Sequence, residues 1–143
     1  MKVLAVSISE RKGIKKHPVE YIELIEDYGI DGDAHAGKWH RQVSLLGVES
    51  MEAMKEKLPE LSAGDFAENI LTEGIVLYKL PIGTTLKVGE CTLEVTQIGK
   101  ECHLGCEIRH IVGDCVMPRE GIFTKVIKGG KIKAEDKIEI VEK

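Results

Sequence analysis

Three of the four cysteines in this 143-residue chain lie close together in its last third. Cys102, Cys106 and Cys115 fall within one short segment, whereas Cys91 stands alone upstream. Cysteines that staple a small secreted domain are spread along the sequence. The clustering therefore favours thiol chemistry or metal binding in a reducing compartment over a disulfide scaffold.

Cys102 has the sequence surroundings of a reactive thiol. Lys100 and His103 flank it, and nearby positive charge favours the thiolate, which is both the nucleophile and the soft metal ligand. We rank Cys102 first for these roles, with Cys106 and Cys115 as alternatives. A redox disulfide and inert burial also remain open, the latter being the simplest interpretation of Cys91. A structural zinc site is disfavoured because no second cysteine pair is present at the usual spacing.

A second group of chemically active side chains lies in the glycine-rich residues 29–41. Its three glycines allow positive φ angles and a close approach of the backbone to a ligand. Lys38 and Arg41 could hold an anion there, while Asp33 or His35 could orient a ligand or titrate. The alternative is a hydrogen-bonded turn with a purely structural role.

A third polar loop, residues 113–121, places Arg119 between two predicted strands. A guanidinium can bind phosphate through two hydrogen bonds, although a surface ion pair with a neighbouring carboxylate is an equal alternative. The sequence contains no serine nucleophile elbow, no Walker-type phosphate loop and no dinucleotide fingerprint. Hydrolase and nucleotide-binding functions are therefore less favoured.

The amino-acid composition indicates what class of protein carries these loops. Hydrophobic residues make up 43% and charged residues 31%, as in ordinary globular proteins, and aromatic residues only 4%, so we expect an Ile, Val and Leu core. The formal net charge of −4 gives no basic surplus for nucleic acid. No apolar stretch approaches the roughly 18 residues of a membrane span. We expect a single domain over residues 1–143 in the cytoplasm, without nucleic-acid or membrane partners.

Short alternating segments predict a mainly β fold. The charged residues 10–16 end the first predicted strand, and the apolar spacing over 48–58 predicts the best helix. A Gly89-Glu90 turn predicts a hairpin, and a Gly129-Gly130 turn is expected to lead into the last strand. The predicted strands cover residues 2–8, 20–26, 84–88, 91–98, 122–128 and a final segment through 138–140. For residues 20–26 a short helix is the alternative. So many short strands indicate a barrel or a sandwich.

Several motifs resemble, in order, those of one known family. They are Gly-Ile-Asp-Gly-Asp-Ala-His-Ala-Gly at 29–37, Arg-Gln-Val-Ser-Leu-Leu at 41–46, Gly-Asp-Phe-Ala-Glu-Asn-Ile at 64–70 and Lys-Glu-Cys at 100–102. Together they resemble the MOSC domain, named after the C-terminal part of molybdenum-cofactor sulfurases, in its short stand-alone form. The resemblance spans nearly the whole chain. It implies a closed or partly closed β-barrel with a few peripheral helices.

The resemblance also implies a site for molybdenum cofactor (molybdopterin). Cys102 falls at the family position for a molybdenum ligand or persulfide carrier. Asp33 and His35 are expected to shape the cofactor pocket, and Asn69 is expected to bind the cofactor. The candidates for holding the pterin phosphate are Lys38, Arg41 and Arg119.

The family's sulfurases obtain sulfur from a pyridoxal-phosphate cysteine desulfurase domain, which this chain lacks. A separate desulfurase is therefore the expected sulfur donor and the only expected carrier of pyridoxal phosphate, with cofactor-biosynthesis proteins as further partners. The resemblance favours sulfur transfer to, or handling of, molybdenum cofactor through a cysteine. Two alternatives are a small molybdenum-dependent reductase of N-hydroxylated compounds and a non-catalytic metal-binding module built on the clustered cysteines.

Overall fold

The computed structural model describes residues 1–10, 16–54, 63–64, 66–99 and 121–142. Within these ranges the chain is mainly β, which confirms that part of the predicted fold class. The strands are β1 (Lys2–Ile8), β2 (His17–Val19), β3 (Tyr21–Ile25), β4 (Gly29–Ile30), β5 (Val43–Gly47), β6 (Ile70–Glu73), β7 (Thr85–Val88), β8 (Cys91–Ile98), β9 (Ile122–Lys128), β10 (Gly130–Lys133) and β11 (Ile138–Glu142). One α-helix, α1 (Val48–Met54), follows β5, and a 3₁₀ turn covers Leu77–Lys79.

Two sheets are formed from these strands. The larger has eight strands in the order β11-β7-β8-β9-β5-β6-β1-β2, and the smaller has the order β10-β3-β4. β5 and β6 pair in parallel, which requires a crossover, and α1 lies on this connection. The predicted hairpin is confirmed, since β7 and β8 pair antiparallel with Val88 opposite Cys91 across the turn.

The Gly129-Gly130 turn does not lead directly into the last strand, and that prediction was wrong. After β9 the chain crosses to the smaller sheet, where β10 pairs with β3 and Gly130 lies opposite Leu24. A Cβ on Gly129 would lie 2.3 Å from the carbonyl oxygen of Leu24, so the glycine permits this close approach. The last strand, β11, starts only at Ile138 and pairs with β7.

The predicted helix is present in part, because α1 covers Val48–Met54 and residues 55–62 lie outside the described ranges. Met51 on this helix is buried, as expected for a core methionine. No helix among the described residues is long and apolar enough to cross a membrane.

The residues that precede β11, at one end of the large sheet, contact β1, the strand next to the other end. An isolated bridge joins Lys2 to Lys137, the Val3 amide donates to Asp136 O over 2.8 Å, and the Glu135 amide donates to Val3 O over 2.8 Å. No continuous ladder closes the sheet within the described residues. The closed barrel therefore stays a prediction.

The core lies between the curved sheets and is aliphatic, as the composition indicates. One cluster of buried side chains is built from Val, Ile and Leu, with Cys91 as its thiol-bearing member. A second cluster beneath α1 contains Phe66 and Phe123. These packed faces fix the strand ends from which the polar loops leave.

Candidate functional site

The polar loop that follows β4 is held tightly at its base. Gly29 has φ +126°, and a Cβ there would lie 3.0 Å from the carbonyl oxygen of Gln42. The Gly37 amide donates to Tyr28 O over 2.6 Å. Gln42 anchors the end of the loop because its Oε1 accepts a hydrogen bond from the Val126 amide over 2.9 Å. These contacts hold the loop firmly against the rest of the fold.

Asp33 lies at the centre of a buried polar network in this loop. Its Oδ1 accepts hydrogen bonds from the Lys16 ammonium over 2.8 Å and from the Ser9 amide over 3.1 Å. Its Oδ2 accepts from the His35 amide over 3.0 Å, which makes an Asx turn. The side chains of Lys16 and Asp33 have no exposed surface. The network joins the end of β1, the start of β2 and the loop.

This network keeps Asp33 ionised. Burial is the largest influence on the carboxyl group and acts to raise its pKa. The His35 side chain, the charge and hydrogen bond of Lys16 and the Ser9 amide act in the opposite direction, and together they hold the pKa of Asp33 well below its usual range. Asp33 therefore acts as a fixed negative charge that orders its neighbours.

His35, Trp39 and Arg41 form a row along the second half of the loop. The rings of His35 and Trp39 are stacked, with centroids 6.3 Å apart and an interplanar angle of 5°. Trp39 Nε1 donates to the carbonyl oxygen of His35 over 2.7 Å, which fixes the indole. The Arg41 guanidinium carbon lies 5.6 Å from the Trp39 ring centroid and 5.5 Å from that of Phe123. We call these four residues the aromatic–arginine row.

Arg41 carries an unsatisfied donor. Its Nε is fully buried and has no hydrogen-bond partner within the described part of the chain. An unpaired buried donor costs about 1–3 kcal/mol, and such groups in native proteins usually have a functional explanation or an unseen partner. The guanidinium is therefore the described group best suited to meet an anion.

The same row lies beside the strand ends from which residues 100–120 leave and return. His40 Nε2 donates to Gln97 Oε1 over 2.7 Å, and the Thr96 hydroxyl donates to His40 O. The Gly99 amide donates to Gly121 O over 2.7 Å, so the two ends of the segment are joined. The arginine-bearing loop thus contacts the end of β8, next to the Gly99–Gly121 hydrogen bond.

The comparisons with known proteins bear on what this arrangement is for. A model of the MOSC domain matches residues 32–139, about three quarters of the chain. The chain belongs to the MOSC domain family. The family is associated with molybdenum cofactor. No curated protein matches the chain.

Solved structures share the MOSC fold described above. The YuaD protein from Bacillus subtilis has a TM-score of 0.78 at 19% identity, over 96% of this chain and 93% of its own. YiiM from Geobacillus stearothermophilus has a TM-score of 0.76 at 18% identity, over 99% of this chain and 75% of its own. YiiM from Escherichia coli has a TM-score of 0.71 at 20% identity, over 100% of this chain and 71% of its own. At these identities the likeness shows the fold alone.

Of the residues predicted for the MOSC site, the structure brings Asp33, His35 and Arg41 into one loop. Lys38 lies on the same loop and is exposed. The other predicted groups, Cys102, Cys106, Cys115 and Arg119, lie outside the described residues. Within the described residues no group of three or more His, Cys, Asp or Glu side chains could hold a metal ion.

Asn69 is engaged by the protein itself. Its side-chain amide donates to Ser7 O over 3.1 Å, and its Oδ1 accepts from the Ser44 amide over 3.0 Å and from the Ser44 hydroxyl over 3.1 Å. The side chain is completely buried. These contacts cross-link β1, β5 and the residue before β6. Asn69 thus stabilises the sheet that carries the loop.

Sequence reasoning missed Lys16 and Ser9 as members of the network and Trp39 and Phe123 as members of the row. Lys16 is the last residue of a charged run, and such runs are usually solvated. No local sequence pattern therefore indicates that Lys16 is buried. The single tryptophan of the chain, next to Lys38 in a glycine-rich loop, was the one signal available for the row.

Proposed function

We propose that this MOSC protein binds molybdenum cofactor against the aromatic–arginine row, with Cys102 supplying the thiolate ligand. The observation that carries the proposal is the buried, unpartnered Nε of Arg41 between the rings of Trp39 and Phe123. Stacked aromatic and guanidinium groups suit a flat pterin, and the guanidinium suits its phosphate. The described residues therefore fit the organic part of the cofactor.

The position of Cys102 in the chain supports the metal part of the proposal. It follows Gly99 by three positions in the sequence, and three residues span at most about 11 Å. Gly99 is joined to Gly121 beside the His40–Gln97 contact. A cysteine thiolate is a soft ligand appropriate to molybdenum.

In this proposal Arg41 holds the phosphate, with Lys38 and Arg119 as further cations, and Trp39 packs on the pterin. When bound, the cofactor supplies a metal centre able to exchange oxygen and sulfur ligands. The fixed negative charge of Asp33 is compensated by Lys16. It therefore does not repel the anionic cofactor.

The proposal extends to sulfur handling in the reducing cytoplasm. Before the cofactor is bound, the Cys102 thiolate would attack the terminal sulfur of a persulfide on a separate, pyridoxal-phosphate-dependent cysteine desulfurase. A sulfur–sulfur bond forms at Cys102, and the donor cysteine leaves as its thiolate, so no external oxidant or reductant is required. Cofactor-biosynthesis proteins would be further partners of the loaded protein.

The test is to express the chain in a host that makes molybdenum cofactor and to measure molybdenum and pterin per folded protein. Wild type is expected to carry both, and Cys102→Ser to lose molybdenum, with Cys106→Ser and Cys115→Ser as matched thiol controls. Mass spectrometry of fresh protein is expected to show a gain of about 32 Da, one sulfur atom, on Cys102 after incubation with a desulfurase and cysteine. Stoichiometric zinc without molybdenum or pterin would contradict the proposal.

A further inference from the structure

Strand β8 is irregular where it approaches the arginine-bearing loop. Val95 lies opposite Thr124 and Gln97 lies opposite Phe123, so β8 has one more residue than β9 at this point and forms a β-bulge at Thr96. Up to Val95 every second residue of β8 is buried, but Thr96 and Gln97 are both half-buried. The regular alternation of the strand thus ends at the bulge.

The bulge brings two consecutive side chains to the same residue of the loop. The Thr96 hydroxyl donates to His40 O, and Gln97 Oε1 lies 2.7 Å from His40 Nε2. In a regular strand, consecutive side chains point to opposite faces of the sheet. Since Gln97 Nε2 donates to Gly99 O over 2.7 Å, the amide oxygen faces His40 and accepts the imidazole N–H. His40 is therefore held at both its carbonyl and its ring.

His40 immediately precedes Arg41, and Thr96 also contacts a second part of the aromatic–arginine row. Its hydroxyl lies 3.1 Å from Phe123 O, so one proton is shared between two carbonyl oxygens. The Arg41 guanidinium carbon lies 5.5 Å from the centroid of the Phe123 ring and 5.6 Å from that of the Trp39 ring. Through Thr96, the chain that carries Trp39 and Arg41 is joined to the residue that carries the second ring.

We infer that the β-bulge positions the Arg41 guanidinium, with Thr96 and Gln97 as the positioning residues. The buried Nε of Arg41 has no hydrogen-bond partner in the described part of the chain, so the backbone and ring contacts on either side have to hold the group in place. That this placement serves the cofactor rests on the proposed function. The placement itself is a property of the protein alone.

The placement is read from the Nε–H signal of Arg41 in ¹⁵N-arginine-labelled protein, which an Arg41→Lys variant assigns. A buried and held N–H group exchanges slowly with water. Thr96→Val keeps the shape of the side chain and removes the hydroxyl, so it is expected to raise the exchange rate roughly fivefold, the effect of one lost hydrogen bond. Thr96→Ser keeps the hydroxyl and is expected to exchange as slowly as wild type.

Thr92→Val is the matched control, since Thr92 lies on the same strand, is also half-buried and precedes the bulge by four residues. Urea denaturation of each variant separates local motion of Arg41 from global unfolding. An exchange rate in Thr96→Val equal to that of wild type, or a rise of the same size in Thr92→Val, overturns the inference. Where Thr96→Val does not fold, Gln97→Met decides in the same way, with Lys87→Met at an exposed position of β7 as its control.

A second arm measures molybdenum and pterin per folded protein. Thr96→Val is expected to carry severalfold less of both than wild type, and Thr96→Ser about as much as wild type. Wild-type loading in Thr96→Val, together with fast exchange at Arg41, contradicts a role of the bulge in cofactor binding. Absence of molybdenum and pterin from wild type removes the proposed function, while the exchange measurement still decides the placement.

Discussion

The Lys16 ammonium donates to the Asp33 carboxylate over 2.8 Å, and neither side chain has any exposed surface. The pair joins the residue before β2 to the loop after β4. Because the same loop carries His35 and Arg41, this ion pair connects the stability of the fold to the geometry of the candidate site.

Lys16→Met is expected to lower the free energy of unfolding by about 3–5 kcal/mol, because it leaves the Asp33 carboxylate buried without its cation. The double variant Lys16→Met with Asp33→Asn is expected to be more stable than Lys16→Met alone, since no buried charge is left unpaired. Urea denaturation at pH 7 measures both. A Lys16→Met protein as stable as wild type would show that the pair is not buried in solution.

The lowered pKa of Asp33 also predicts that the stability of the protein depends on pH in the acid range. The pKa of Asp33 is lowered in the folded protein, so the unfolded chain binds a proton more readily. The stabilisation is fully present above the ordinary aspartate pKa of about 4 and is lost as the pH falls from there towards the folded pKa. Urea midpoints from pH 6 to pH 3 are expected to fall less steeply in Asp33→Asn than in wild type. Parallel curves would contradict the assignment.

Arg41→Met is expected to separate stability from binding. It removes the unpaired buried Nε, worth about 1–3 kcal/mol against folding, and it also removes the contacts with two rings, worth roughly 0.5–1 kcal/mol each in favour. The free energy of unfolding should stay within about 1 kcal/mol of wild type while molybdenum and pterin content falls. Lys87→Met, at an exposed position of β7 outside the proposed site, is the control. A large loss of stability with unchanged loading would make Arg41 structural.

The β7–β8 hairpin shows what the sequence could predict. Its strands alternate between core and solvent, and its turn lies within two residues, so every determinant is local. β10 could not be placed in the same way, because its partner β3 lies more than a hundred residues earlier in the chain. The pairing depends on the close approach of Gly129 to Leu24, which is a tertiary contact.

The residues of the candidate site also fall into two groups, those that the local sequence could predict and those that depend on tertiary contacts. Arg41, Asp33 and His35 were predicted because charged residues among glycines have local chemical meaning. Lys16 was not, because only the folded chain brings its ammonium to Asp33, 17 positions away. Asn69 stood in a family motif that marked it as important without distinguishing a ligand contact from a structural one.

Asn69→Leu is expected to destabilise the fold. The variant would leave Ser7 O without the Asn69 amide donor and the Ser44 amide without its Asn69 acceptor in a buried region, while the Ser44 hydroxyl could still donate to Ala67 O over 3.3 Å. Each unpaired group costs about 1–3 kcal/mol, so a loss of several kcal/mol is expected in urea denaturation. A variant of wild-type stability that fails to bind cofactor would instead support a direct role on the ligand.

The burial of Cys91 leads to a prediction about which thiols of the protein can react. Cys91 is completely buried on β8, as expected for a core cysteine. Burial, together with the nearby Glu90 and Asp136 carboxylates, raises its pKa to about 11. At pH 8 only about one Cys91 in a thousand is a thiolate, and its sulfur is shielded from reagents.

Iodoacetamide is therefore expected to leave Cys91 unmodified in native protein and to modify it in urea, as measured by peptide mass spectrometry. Cys91→Ala is the control, since the number of thiols modified in urea should fall from four to three. Rapid native modification of Cys91 would contradict its burial. Sulfur loading that survives Cys91→Ala and is lost in Cys102→Ser would assign the reactive thiol to the segment between Gly99 and Gly121.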